Sequence, residues 1–412
     1  MRVAALASVA LPLTAAMAQT TETPPMPAAP PSNVELKAEE ASVATILPPQ
    51  PQWAYIRGGF GMGGVRIFDG ATGKMRGEVD TSNRADMAID PAGKYYYVAD
   101  TIWTKADRGT RQDFIAVYDS TTLKLQTEIP IPGRIIIGGE KQNFIVNDDG
   151  KTAYAYNYNP ASSVNMIDLE KRKFVQAIEL PGCASLIPNP GIGFSALCSD
   201  GSMVTVDTMT GKPKITHTAS FFSATGDPIF SNFTYDKTKK QVTFISYSGL
   251  VYQAMMGAAP AVGAPFSIQA AAGVRPGEAK PLDVNWLPGG RQLMALHRPS
   301  GHLYVLMHKG EYWSQNEAGE EIWDLDLATR KVVKRRPLKQ PSSTIEVTQD
   351  ATPLLFVSDK EGTTYVLDAR TMEEKRKIEK TGPGLIITAD VGTPATAPMA
   401  MPTPAKSNGM GN

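Results

Sequence analysis

The stretch IFDGATGK (Ile67–Lys74) has close variants at VYDSTTLK (117–124), MIDLEKRK (166–173), TVDTMTGK (205–212) and DLDLATRK (324–331). Each reads as a strand end, an aspartate able to accept hydrogen bonds from turn amides, and a tight reversal in which Gly takes the positive φ. The aspartates Asp69, Asp119, Asp168, Asp207, Asp326 and Asp368 recur about every 40 to 50 residues, the period of a repeat architecture. The longer gap between Asp207 and Asp326 holds one more unit, because SYSGLVYQ (246–253) imitates the phrase with Gln253 at the aspartate's place. That makes seven units.

A second phrase precedes the first: AIDPAGKYYYVAD (88–100), IVNDDGKTAYAYN (145–157), FTYDKTKKQVTFISY (233–247), WLPGGRQLMALH (286–297) and VTQDATPLLFVSD (347–359). Each reads as strand, Asp or Gly turn, strand. Together the phrases predict four antiparallel strands per unit, hence an all-β, seven-bladed β-propeller over residues 51–391. LIITAD (385–390) matches a blade's first strand and WAYIRG (53–58) its second, so the two ends of the domain are expected to complete one blade together.

The 41 basic and 41 acidic residues cancel, leaving no long-range field to gather nucleic acid or anionic lipid. The N-terminus combines an early Arg2, an apolar run and a small-x-small end at Ala16-Met17-Ala18, so residues 1–18 read as a secretory signal peptide and the mature chain as exported. No later segment is long and apolar enough to span a membrane. Residues 19–50 and 392–412, rich in Pro, Ala and Thr, read as a flexible extension and a disordered tail.

Export lets Cys183 and Cys198 pair, since the arms ASLI and FSALC flank the turn-rich PNPGIG in an antiparallel hairpin. A structural staple is the reading, because two lone cysteines show neither redox nor metal spacing. His217, His297, His302 and His308 form no HxH or HxxxH pair and read as satisfied or solvent-facing side chains, with no metal site. No GxSxG is present, the glycines of 58–64 precede no helix, and the acidic pairs Asp148-Asp149 and Glu320-Glu321 read as solvated turn residues. No catalytic constellation stands out in this chain. One segment is less bland: TIWTKADRGTRQDF (101–114) reads as a long inter-strand loop that joins Trp103 to Arg108 and Arg111, the composition of a protein interface.

These residues carry a resemblance. DRGTRQDFIAVYDSTTLKLQTEIPIPGR (107–134) is similar to the R-G-x-R-x-D-Y/F-V/I-x-V-F/Y-D segment of the heavy chains of methylamine and aromatic amine dehydrogenases. The likeness continues through Cys183, DGSMVTVD (200–207), GEEIWDLDLATRK (319–331) and GPGLIITADVG (382–392). It implies the heavy subunit of a periplasmic heterotetramer of two heavy and two light chains. The small, Cys-rich light chain would carry tryptophan tryptophylquinone, taking electrons from a primary amine and passing them to a blue copper protein or cytochrome c. This chain, with two Cys and five Trp scattered at 53, 103, 286, 313 and 323, would supply walls rather than reacting groups and bind no cofactor itself.

Aligned without gaps, Asp80–Asn83 falls where methylamine-oxidising relatives carry a Gly-Gly-Phe that lines the substrate channel, so Asn83 stands in place of that ring. The resemblance therefore places Asn83, Trp103, Arg108 and Arg111 on the light-chain side. Two rival readings are a non-enzymatic periplasmic propeller that binds a protein or small ligand, and an autonomous enzyme with a metal in a central channel. The latter would need inward acids or histidines from several blades, and RADMAID (84–90) and STIEVTQD (343–350) offer few.

Overall fold

The computed structural model describes residues 45–59, 62–105, 108–134, 140–158 and 161–390. The signal peptide, most of the N-terminal extension and the 392–412 tail lie outside the described residues. The domain is a β-propeller of four-stranded antiparallel blades. In a blade the middle two strands have both faces covered by neighbouring blades, so they read as unbroken apolar runs: Trp53–Ile56, Tyr96–Ala99 and Leu303–Met307 are buried throughout. Outer strands alternate or face water, as in Lys173–Glu179 and Glu374–Ile378.

The hydrogen-bonded sheets number six among the described residues, not seven. Four carry four strands, one carries five and one carries eight. The large sheet arises because one strand, Lys331–Val347, runs without interruption from one edge to another: Lys331–Pro337 pairs with Glu321–Asp326, and Ser342–Val347 pairs with Leu355–Asp359. The ring closes as expected, with Ile386–Thr388 beside Ala54–Ile56. Gln292, fully buried, stitches this closure, since its amide donates to the Ile345 and Ile386 carbonyls (2.9 and 3.0 Å) and its oxygen accepts from Ile386 N (2.8 Å).

The repeated aspartates cap their turns. Asp69 Oδ1 accepts from Ala71 N and Thr72 N, and Asp119, Asp326 and Asp368 repeat the arrangement with their own turn amides. Backbone amides and Thr hydroxyls hold the Asp119 carboxylate down at about 2. The expectation of Gly at the positive-φ position needs correction. Four residues after each aspartate the chain is left-handed, but only Gly73 and Gly211 are glycines; Leu123, Arg172, Arg330 and Met372 occupy the others. The capping aspartate holds the conformation whether or not the residue favours it.

Three other expectations are revised. WLPGGRQLMALH is not strand–turn–strand: Asn285–Pro288 and Met294–His297 both pair with His302–Gly310, and Gly289-Gly290 interrupts one inner edge because the backbone passes against His308 and Ser343, where a Cβ would clash. The true reversal is Arg298–Gly301. The segment 101–114 is no loop, since Tyr95–Lys105 and Arg108–Asp119 pair along almost their whole length. Thr, Ile and Trp on alternating faces favour strand there. Residues 45–50, grouped with the flexible extension, are pinned: Ile46 N donates to Thr121 O (2.8 Å), and Pro49 is buried.

Cys183 and Cys198 stand directly opposite in their hairpin and are disulfide-bonded, Cα–Cα 4.0 Å. Replacing both with Ser is expected to lower unfolding free energy by about 2–3 kcal/mol, read from the denaturant midpoint. At Lys240, exposed and left-handed (φ 51°) four residues after Asp236, Lys240→Gly is expected to raise stability by up to about 1 kcal/mol.

Candidate functional site

The capped turns all lie at one end of the blades. The opposite end carries the long Tyr95–Asp119 hairpin and the segments entering the first strands, and it is organised by buried charge. Asp86, 4% exposed at the start of its strand, faces two guanidinium groups: Arg57 Nη1 donates to Oδ1 at 3.1 Å, and Arg134 Nη2 donates to Oδ2. Burial raises the Asp86 carboxyl above its usual range while Arg134 and Arg57 oppose the shift, and burial lowers the Arg57 guanidinium. The attraction of two arginines keeps a carboxylate in a place that would otherwise expel it.

Each arginine then reaches a backbone carbonyl of the preceding loop. Arg57 Nη2 donates to Asn83 O (2.9 Å) and Arg134 Nη1 to Arg84 O (2.9 Å). Ser82 is fixed from the other side, its amide donating to Asp100 Oδ2 at 2.9 Å and its hydroxyl to the same carboxylate. Residues 82–84 are therefore clamped by groups from three separate strands or connections, and the Asn83 side chain is left exposed on a rigid backbone.

The hairpin joins the same network. Thr101 Oγ1 donates to Asp113 Oδ1 (2.7 Å), and Arg111 Nε donates to Asp113 Oδ2 (2.8 Å). Trp103 pairs with Arg111 across the strands, and the Arg84 guanidinium carbon lies 4.6 Å from the Trp103 ring centroid. Asn83, Trp103 and Arg111 are thus brought together, through Arg84 and Arg57 on one side and Asp113 on the other. Arg108 is not: it sits exposed near the hairpin tip opposite Lys105. The acids of the network (Asp86, Asp100, Asp113) are buried, while Arg84, Arg108 and Lys105 are exposed, as is Asp80 shortly before the clamped segment.

Sequence reasoning missed Asp86, Asp100, Arg57 and Arg134, each an unremarkable residue in its local pattern. Of the acidic pairs, Asp148-Asp149 does lie in a turn with Asp149 exposed, whereas Glu320-Glu321 lies in a strand. Asp148 is half-buried, accepts from Tyr235 Oη (3.4 Å) and has its pKa raised by burial; Glu321 lies in a strand and accepts from Trp323 Nε1 and Arg335 Nε, both at 2.8 Å. Trp286 and Trp323, scattered in sequence, pack with ring centroids 5.7 Å apart under the Arg335 guanidinium. Cavities of about 200 and 230 Å³ share Lys141, Ile387, Thr388 and Asp390, opening on a space bounded by first strands and crossed by the Lys141–Glu346 and Lys237–Asp390 ion pairs. Among the described residues no group of three or more His, Cys, Asp or Glu converges in metal-binding geometry, and no helix is long and apolar enough to cross a membrane.

Solved structures resemble the fold. A dihydro-heme d1 dehydrogenase superposes with TM-score 0.54 at 17% identity over 83% of this chain and 76% of its own. A functionally unknown protein from Desulfotomaculum acetoxidans superposes with TM-score 0.57 at 12% identity over 83% of this chain and 100% of its own. The sequence likenesses are more specific. The methylamine dehydrogenase heavy chain of Paracoccus versutus is 29% identical over 331 residues, covering 79% of this chain and 76% of that one. That of Methylobacillus flagellatus is 29% identical over 332 residues, 79% of this chain and 81% of that one. The profile of the family described as methylamine dehydrogenase heavy chain (MADH) matches residues 61–390, so the chain belongs to the methylamine dehydrogenase heavy chain family.

Proposed function

We propose that this chain is the heavy subunit of a periplasmic amine dehydrogenase, and that the clamped rim bearing Asn83, Trp103 and Arg111 is where its light chain docks. Counting Lys331–Val347 as the outer strand of one blade and the inner strand of the next gives seven blades. In this reading the light chain carries tryptophan tryptophylquinone, two heavy and two light chains assemble, and a blue copper protein or cytochrome c accepts the electrons. A primary amine and water become aldehyde and ammonia, with two electrons passed on.

This chain's contribution is positional. Its rim supplies an aromatic anchor, Trp103, already ordered by Arg84, next to a backbone fixed by Arg57 and Arg134, so little ordering entropy is lost on docking. Asn83 offers an amide at the wall where methylamine-oxidising relatives have an aromatic ring, which favours a substrate channel more polar at that point. The observation that carries the proposal is the convergence of three of the four resemblance-marked residues, Asn83, Trp103 and Arg111, on one network, within a chain that matches the family across 61–390.

The test is affinity capture of the chain from its native periplasm after growth on amine, with quinone redox staining of any small companion and amine-dependent dye reduction by the complex. A redox-staining Cys-rich companion is expected; a chain that captures none and reduces no dye would overturn the proposal in favour of a stand-alone binding propeller. Within the complex, Trp103→Ala is expected to weaken subunit association at least about tenfold while leaving the unfolding midpoint of the isolated chain in place. Asp86→Asn removes the partner of a fully buried guanidinium and is expected to cost about 3 kcal/mol of stability as well as association, read by denaturant unfolding.

A further inference from the structure

At the end of the blades opposite the rim, a cavity of about 420 Å³ opens beside the Arg298–Gly301 reversal. Its walls come from the two units joined by the long Lys331–Val347 strand: the reversal and the strands beside it on one side, the 350–353 and 368–372 turns on the other. Pro299, Ala351 and Pro353 make part of it apolar. None of the groups of the rim reaches it.

Two histidines face each other here, because the hairpin register pairs His297 with His302. They differ in what their ring nitrogens do. His297 lies within 2.7 Å of Ser300 Oγ through Nδ1 and 3.2 Å of the Asp350 carbonyl through Nε2. A carbonyl only accepts, so Nε2 carries the proton and Ser300 donates to Nδ1. Both nitrogens are used, and burial lowers this imidazole's pKa while Asp350 opposes the shift.

His302 is arranged otherwise. Its Nδ1 meets Asp324 Oδ1 at 2.7 Å, and Asp324 is 4% exposed. The carboxylate orients the ring, which borders the cavity, and leaves Nε2 without a hydrogen-bond partner among the described residues. Arg370 borders it from the opposite turn, spending one Nη2 bond on the Ala351 carbonyl. The nearby acids outside the cavity are occupied: Asp326 and Asp368 cap their turns, and Asp350 accepts from Gln52 and Thr352.

We propose that this cavity binds a small organic carboxylate, its oxygens taken by Arg370 and His302 Nε2 and its apolar body lying against Pro299, Ala351 and Pro353. The geometry suits this class. The Arg370 fork supplies charge-assisted donors beside the unpartnered His302 Nε2, Asp324 is committed to His302, and the volume falls in the range of small-ligand pockets. A metal ion is disfavoured, because His297 has no lone pair left to give.

Benzoate is the probe, titrated calorimetrically into the purified full chain in its native assembly, with inorganic phosphate as a second anion. Saturable benzoate binding with a Kd at or below about 1 mM is expected, weakened at least about tenfold by Arg370→Gln and by His302→Gln. Arg370 is exposed, so Arg370→Gln keeps the fold, which an unchanged thermal midpoint verifies. No heat with benzoate, equal binding by the Arg370→Gln variant, or binding of phosphate but not benzoate would each overturn the proposal. Because capture of the light chain reads the other end of the blades, failure here leaves the subunit assignment standing, and the reverse holds too.

Discussion

A buried carboxylate between two arginines sets the organisation of the rim. Asp86 starts a first strand, Arg57 ends a strand of the preceding sheet, and Arg134 follows the last strand of Asp86's own sheet. Neither Arg134, 1% exposed, nor Asp86 is tolerable there alone, since an isolated buried ion is strongly disfavoured. Together they fix sheets that side-chain packing alone would leave free to slide, and the surplus donors of the two arginines extend that rigidity to the Asn83 and Arg84 carbonyls. The rim is stiff because its charges are inside.

The blades divide their labour by end. At one end short reversals are held by aspartates so firmly that Leu123, Arg172, Arg330 and Met372 accept left-handed backbone without being glycine. At the other end the Tyr95–Lys105 and Arg108–Asp119 strands run long and carry the half-buried Trp103 with exposed basic side chains, the composition expected of a surface built to meet another protein. Between the ends, the inner strands enclose paired charges, and Gln292 ties the closing strand at Ile386 to Ile345. The carboxylate cavity lies at the capped end because one reversal there, Arg298–Gly301, places two histidines in register across a hairpin.

Much of the fold was legible. The period of the aspartates revealed the repeat, and the alternation of short β-branched and aromatic runs revealed the strands, because both are local signals with a fixed geometry. What was not legible depended on distance. Nothing near Asp86 distinguishes it from a solvated acid; only the arrival of Arg134, 48 residues away, makes it the centre of the rim. His297 and His302 read as bland for the same reason, since their opposed roles are set by Ser300, Asp350 and Asp324. The Gly289-Gly290 pair read as a hairpin turn because Gly-Gly usually marks one, whereas here close backbone approach demanded it. Of the candidate interface residues, Trp103 and Arg111 were found because aromatic and basic side chains in one long connection are a compositional signal; Asn83 came only through resemblance.

The central claim, that the clamped rim is the docking face for a quinone-bearing light chain, is tested most directly by hydrogen exchange on the assembled complex compared with the isolated chain. The account predicts new protection concentrated at residues 82–84 and 99–113, with the capped turns at the other end unchanged. Protection confined to the capped end, or none at the rim, would contradict it.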